Sequence, residues 1–175
     1  NTTFLIVCFK SQDVIYDCLN TLPKEANKII VENSNNLNLK KDLESKFTNI
    51  EVIINKNSGF GASNNLGIKK SKTQFAFILN PDVKFREDTF DNLSKTCRSI
   101  PDFAIISPIH SDSKYPNYTI KNKYSSIDEN IIEVDEIDGF SMLINKSKFE
   151  DEIYFDENFF LYLENNDLCL RTKKS

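Results

Sequence analysis

Short, continuously apolar runs recur through the first half of the sequence, and the segments between them carry apolar residues at helical intervals. The runs are FLIVCF (4–9), KIIVEN (28–33), EVII (51–54), FAFIL (75–79) and FAIIS (103–107). They do not alternate apolar with polar residues, so each would have to be covered on both faces, which is the condition of a parallel sheet between helical layers. The intervening residues 13–22 place Val14, Ile15, Cys18, Leu19 and Leu22 on one helical stripe, closed by Pro23. Residues 39–47 form a second, more polar helical segment, 57–65 a glycine-containing loop opening a helix to about 70, and 87–98 another helix. The pattern predicts an α/β chain: a Rossmann-like three-layer α/β/α domain with a mostly parallel central sheet.

The character changes after Pro108. Residues 110–126 are polar and read as a long loop, whereas EVDEIDGFSMLIN (133–145) reads as strands pairing antiparallel at the sheet's edge. The final run, DENFFLYLENNDLCLR (156–171), sets aromatic residues before acids. A chain of 175 residues suffices for one domain with a real core. Its 22 Lys and Arg against 26 Asp and Glu, without a basic block, argue against a nucleic-acid partner. No apolar run reaches the roughly 20 residues that span a bilayer, and the amino end lacks a charged segment followed by an apolar one, so the chain reads as cytoplasmic. The scattered Cys8, Cys18, Cys97 and Cys169, with His110 the one histidine, argue against zinc. The start at Asn1 without methionine and the end at Lys173-Lys174-Ser175 suggest a piece lacking its tail.

Ligands of open α/β sheets bind outside the carboxyl ends of the strands. Those ends are Phe9-Lys10-Ser11, Glu32-Asn33-Ser34, 55–57 and Asn80-Pro81-Asp82. Asn-Pro-Asp is an ordinary turn sequence, but a carboxylate fixed at a strand end also suits Mg²⁺ or Mn²⁺ carrying diphosphate oxygens. Glu32 is either a solvated acid or an acceptor for a nucleobase or ribose. The loop 57–65 lacks the third glycine of a dinucleotide fingerprint and the lysine of a P-loop. Gly59 and Gly61 then serve either a helix entry or a surface facing a nucleotide. Glu164 and Asp167 share a face if their segment is helical. They are capping and Arg171-pairing acids, or one of them is a general base behind the aromatic residues.

Taken in order, FLIVCFKSQDVIYDCLNTL, IIVENSN, NKNSGFGASNNLGIKKS, FAFILNPDV, DGFSMLINKSKF and FDENFFLYLENNDLCLR resemble a family 2 glycosyltransferase of the GT-A fold, rhamnosyltransferase-like, across nearly the whole chain. That resemblance implies an inverting, metal-dependent transfer from a UDP-, dTDP- or GDP-sugar to a glycan or lipid-linked acceptor, in bacterial polysaccharide or surface-glycan synthesis. It places the donor against Phe9, Glu32, Asn57, Gly59, Asn64, Asn65, Asn80 and Asp82, with Glu32 on the base and Asp82 on Mn²⁺ or Mg²⁺. Asp138 and Gly139 border the acceptor, and residues 1–107 and 108–175 become the nucleotide-sugar half and the acceptor half of a single domain. Contact with the inner face of the membrane would come through a lipid-linked acceptor. Two positions depart from the family pattern. Asn80 replaces the first acid of the D-x-D motif, and Asn165 replaces the acid commonly assigned as base, leaving Glu164 or Asp167 to act. The alternative is a catalytically impaired domain that binds a sugar nucleotide or serves as an interaction module.

Overall fold

The computed structural model describes residues 1–121 and 125–173. Residues 122–124 of the polar stretch and the terminal Lys174-Ser175 lie outside the described residues. In chain order the elements are β1 (Thr2–Cys8), α1 (Ile15–Asn20), β2 (Asn27–Glu32), α2 (Leu37–Lys46), β3 (Ile50–Ile54), α3 (Phe60–Lys70), β4 (Phe75–Leu79), α4 (Thr89–Ser99) and β5 (Ile105–Ile106). They continue with β6 (Tyr118–Thr119), β7 (Ser125–Asp128), β8 (Ile131–Glu133), β9 (Glu136–Ile137), β10 (Ser141–Asn145) and α5 (Glu164–Thr172).

The main sheet has the order β3-β2-β1-β4-β10-β5. Strands β1 to β4 pair in parallel, and β10 runs antiparallel to both β4 and β5. The segment expected at an antiparallel edge thus inserts one place inside it, and every residue of β10 is buried. The two-residue β5 takes the edge position.

Because strand side chains alternate, each strand feeds both faces. Phe4, Ile6, Ile30, Phe77 and Leu79 pack with Ile15, Leu19, Leu39, Leu43 and Leu93, so α1, α2 and α4 form one layer. Leu5, Val31, Ile78, Met142 and Ile144 pack with Ile68, Leu168 and Cys169, placing α3 and α5 on the other. The expected three-layer α/β/α arrangement results. Burial of each such large apolar side chain contributes about 1.5–3 kcal/mol.

Helix α3 starts at Phe60, within the stretch read as a loop, so Gly61, Asn64 and Asn65 are helical. The polar stretch after Pro108 supplies β6 and the first residues of β7. These belong to two separate two-stranded sheets, β6-β9 and β7-β8, outside the main one.

Candidate functional site

The parallel register brings the carboxyl ends of β1, β2, β3 and β4 to one rim. A cavity of about 520 Å³ opens there, lined by Phe9, Lys10, Asn33, Ser34, Asn55 and Asn57 among others. Its polar wall is held by side chains of several elements. Asn33 Nδ2 donates to Ser63 Oγ at 2.7 Å, and Asn55 Nδ2 donates to Asn33 Oδ1 at 2.9 Å. The Lys10 N–H donates to Ser34 Oγ at 3.3 Å, and the Lys10 ammonium sits 5.5 Å from the centre of the Phe9 ring. Phe9 is 50% exposed, which leaves an aromatic face at the cavity mouth. Asn57 is exposed, and its Oδ1 accepts from the Gly59 N–H at 3.2 Å, closing the turn before α3.

Glu32 does not line this cavity. Its side chain is fully buried, with Oε1 accepting from both the backbone N–H and the hydroxyl of Ser34, while Oε2 has no hydrogen-bond partner. The carboxylate therefore braces Ser34 from behind, and the neighbours Asn33 and Ser34 form the wall. Asn33, Asn55 and Lys10 were not singled out from the sequence. Their only signal there is position, since each sits at or just after the end of a predicted strand.

Asn80, Pro81, Asp82 and Val83 form a turn at the end of β4. The Val83 N–H donates to the Asn80 carbonyl at 3.3 Å, with Pro81 in the position that its fixed φ favours. Both flanks are anchored. The Asn80 N–H donates to Phe140 O at 2.9 Å, and the Phe85 ring packs 5.5 Å from Phe77 and 5.0 Å from Phe90. Asp82 is exposed at the tip. Among the described residues no three His, Cys, Asp or Glu side chains cluster as a metal cage. A single exposed carboxylate nevertheless fits Mg²⁺ or Mn²⁺, which commonly take one or two protein carboxylates and draw their other ligands from water and phosphate.

A second group of residues gathers at the first turns of α3. Glu164, the first residue of α5, is only 4% exposed, and its Oε2 has no partner. Burial pushes its carboxyl above the ordinary glutamate range. A Cβ added to Gly61 would lie 3.6 Å from Glu164 Cβ, so the acid rests against α3 where that helix has no side chain. Asn165 is fixed by its Nδ2, which donates to Ile137 O at 2.8 Å, and its Cβ would lie 3.6 Å from a Cβ on Gly139. Asp138 is exposed beside it, and its N–H donates to Asn117 O at 2.9 Å. Asp167 accepts from Arg171 Nε at 2.8 Å, the expected pairing.

The remaining residues of the glycine-containing stretch are engaged within the protein. Gly59 has φ +89°, and a Cβ there would fall 2.2 Å from the Phe160 carbonyl oxygen. Asn64 is buried, with Nδ2 donating to Phe60 O at 3.1 Å and Oδ1 unpartnered. The Asn65 amide holds Phe155 N, Phe155 O and Glu157 Oε1 at 2.8–2.9 Å.

Known proteins resemble the chain along nearly its whole length. Residues 3–164 match the model of the family described as glycosyl transferase family 2. The chain is 26% identical over 191 residues to the low-salt glycan biosynthesis hexosyltransferase Agl10 of Haloferax volcanii, covering 98% of this chain and 61% of that protein. It is 27% identical to the rhamnosyltransferase WbbL of Escherichia coli K12, covering 95% of this chain and 75% of WbbL. Among solved structures, Staphylococcus aureus TarS 1-349 in complex with UDP-GlcNAc superimposes with a TM-score of 0.74 at 14% identity, over 98% of this chain and 53% of that one. The mannosyltransferase PcManGT from Pyrobaculum calidifontis, in complex with GDP-Man and Mn²⁺, gives 0.71 at 10% identity, over 98% and 51%. These likenesses identify the fold as GT-A. With the family model covering nearly all of it, the chain belongs to glycosyl transferase family 2.

Proposed function

We propose that this chain transfers a sugar from a UDP-, dTDP- or GDP-sugar to a hydroxyl of a glycan or lipid-linked acceptor, with inversion at the anomeric carbon. The observation that carries the reading is the buried carboxylate of Glu164 at the start of α5, against α3, with Oε2 left without a partner. The family supports sugar transfer, and the nucleotide sugars bound by the TarS and PcManGT structures support the donor class.

In this mechanism the nucleoside occupies the cavity at Phe9, Asn33, Ser34 and Asn57. Lys10 offers a cation at its mouth. A divalent ion, when bound, would be held by Asp82 and would offset the charge of the departing diphosphate. Glu164 takes the proton of the acceptor hydroxyl as that oxygen attacks the anomeric carbon from the face opposite the diphosphate. A carboxylate held above its ordinary pKa by burial is the better base near neutral pH. Asp167 suits that role less, because Arg171 neutralises it, and Asn165 cannot accept a proton. Asp138 and Gly139 lie beside Asn165 and so border the acceptor. Residues 1–107 then act as the donor half and 108–175 as the acceptor half.

Calorimetric titration with UDP, dTDP and GDP, with and without Mn²⁺, tests the reading. At least one diphosphate should bind more tightly with Mn²⁺, and Asp82→Ala should abolish that gain. Glu164→Gln should bind the same diphosphate as wild type yet lose transfer by about 100-fold or more. Binding without turnover in the wild type would leave a binding module instead, and no binding at all would overturn the donor assignment.

A further inference from the structure

The stretch NSGFGASNN has the outward form of a phosphate loop, yet its Gly59, Phe60, Gly61 and Asn65 contact residues 155–164. We infer that the first turns of α3 are a platform that positions residues 155–164, and through them Glu164, with Gly59, Gly61 and Asn65 as positioning residues and not donor ligands. The inference rests on the reading of Glu164 as the base.

Three separate contacts make the platform. At its start, the Phe60 N–H donates to Phe160 O at 2.9 Å, an approach open only because Gly59 has no Cβ. At the next residue, a Cβ on Gly61 would lie 3.0 Å from Phe155 Cβ and 3.6 Å from Glu164 Cβ. Further along, Asn65 is 4% exposed and spends its amide on Phe155 N, Phe155 O and Glu157 Oε1. Both amide hydrogens and the carbonyl are thereby used, so little remains with which to grip a nucleotide.

The segment needs such ties. Phe160, Leu161, Tyr162 and Leu163 are all exposed, and Tyr162 and Leu163 have φ of 70° and 71°. Consecutive left-handed, non-glycine residues persist only where their surroundings hold them. Leu163 is also the cap of α5, so the strained pair sets where that helix begins and where Glu164 points.

The test uses Asn65→Ala, Gly61→Ala and the surface variant Glu157→Ala, which keeps the experiment informative should Asn65→Ala fold poorly. Steady-state transfer, UDP and GDP titration, and amide hydrogen exchange are measured on each. For Asn65→Ala and Gly61→Ala we expect kcat to fall about 10- to 100-fold, the scale of a sub-ångström to 1 Å misplacement of a reacting group. Donor KM and diphosphate affinity should stay within about twofold of wild type, and Glu157→Ala should show a smaller loss of the same kind. The rising limb of kcat against pH should move to lower pH in Asn65→Ala, as a loosened Glu164 regains water. Exchange should quicken in 155–163 and stay unchanged in β1 and β4. Diphosphate affinity falling in step with kcat would make these residues donor ligands and overturn the platform, as would an unaltered exchange pattern in 155–163. Full activity of Glu164→Gln sinks the base reading whatever the exchange shows, so the two failures are separable.

Discussion

Glu164 carries opposing demands at a single residue. Its raised pKa suits proton removal, and the same burial makes its charged form destabilising. Linkage gives the sign. A carboxyl whose folded pKa lies above its unfolded value of 4.5 adds stability below that value and loses it as pH rises through the folded one. Glu164→Gln should therefore melt at a higher temperature than wild type at pH 7 to 8, and the gap should close as the pH falls to about 4. Thermal melts across that range check this, and a gap that widened in acid would contradict the burial. Asp82 makes the contrast. Exposed at a turn tip, it should tolerate alanine with a stability change within about 0.5 kcal/mol, the usual range for surface sites, while the metal-assisted binding proposed for it should be lost.

At the level of elements, the site is set by where strands stop and helices start. Helix α3 begins at Phe60 because Gly59 can take φ +89° and let the Phe160 carbonyl through. Gly59→Ala meets both obstacles at once, left-handed backbone and a blocked approach, and should cost about 1–3 kcal/mol, read by urea denaturation. Strands β1, β2 and β4 were legible because each is a short apolar run buried on both faces, a pattern written into adjacent residues, whereas of the run 103–107 only Ile105–Ile106 is strand, half-buried at the edge. The Asn-Pro-Asp turn was legible for the same reason: Pro81 and the end of the apolar run mark it locally. What the glycines and asparagines of 57–65 touch was not legible, because Phe155, Phe160 and Glu164 lie about ninety or more residues further along the chain. Position of β10 was missed similarly. Its apolar run announces a strand, but only the contacts of both its edges put it between β4 and β5. Glu32 shows a third limit, since a strand-end acid looks solvent-facing until its side chain is seen buried and holding Ser34.

Across the whole molecule, stability and the site are spread unevenly. The layers meet on β1, β2, β4 and β10, where most residues are buried and the two cores face each other through the sheet. The β7-β8 hairpin stands apart from that sheet, with Ile127 51% exposed and Ile131 and Ile132 half-buried. Backbone amides whose opening exposes little apolar surface exchange by local fluctuation, whereas those between packed layers wait for the whole domain to open. Amides of Ile6, Ile30, Phe77 and Leu143 should then share one slow exchange free energy equal to that of global unfolding, and those of β8 should exchange far faster. Phe77→Ala, which empties the aromatic group around Phe4, Phe85 and Phe90, should lower protection of all four strands together by about 3–5 kcal/mol. Ile132→Ala should lower it in the hairpin alone. If the hairpin variant also deprotected β1 and β4, the hairpin would be part of the cooperative core, and variation there could not be separated from the stability of the main sheet.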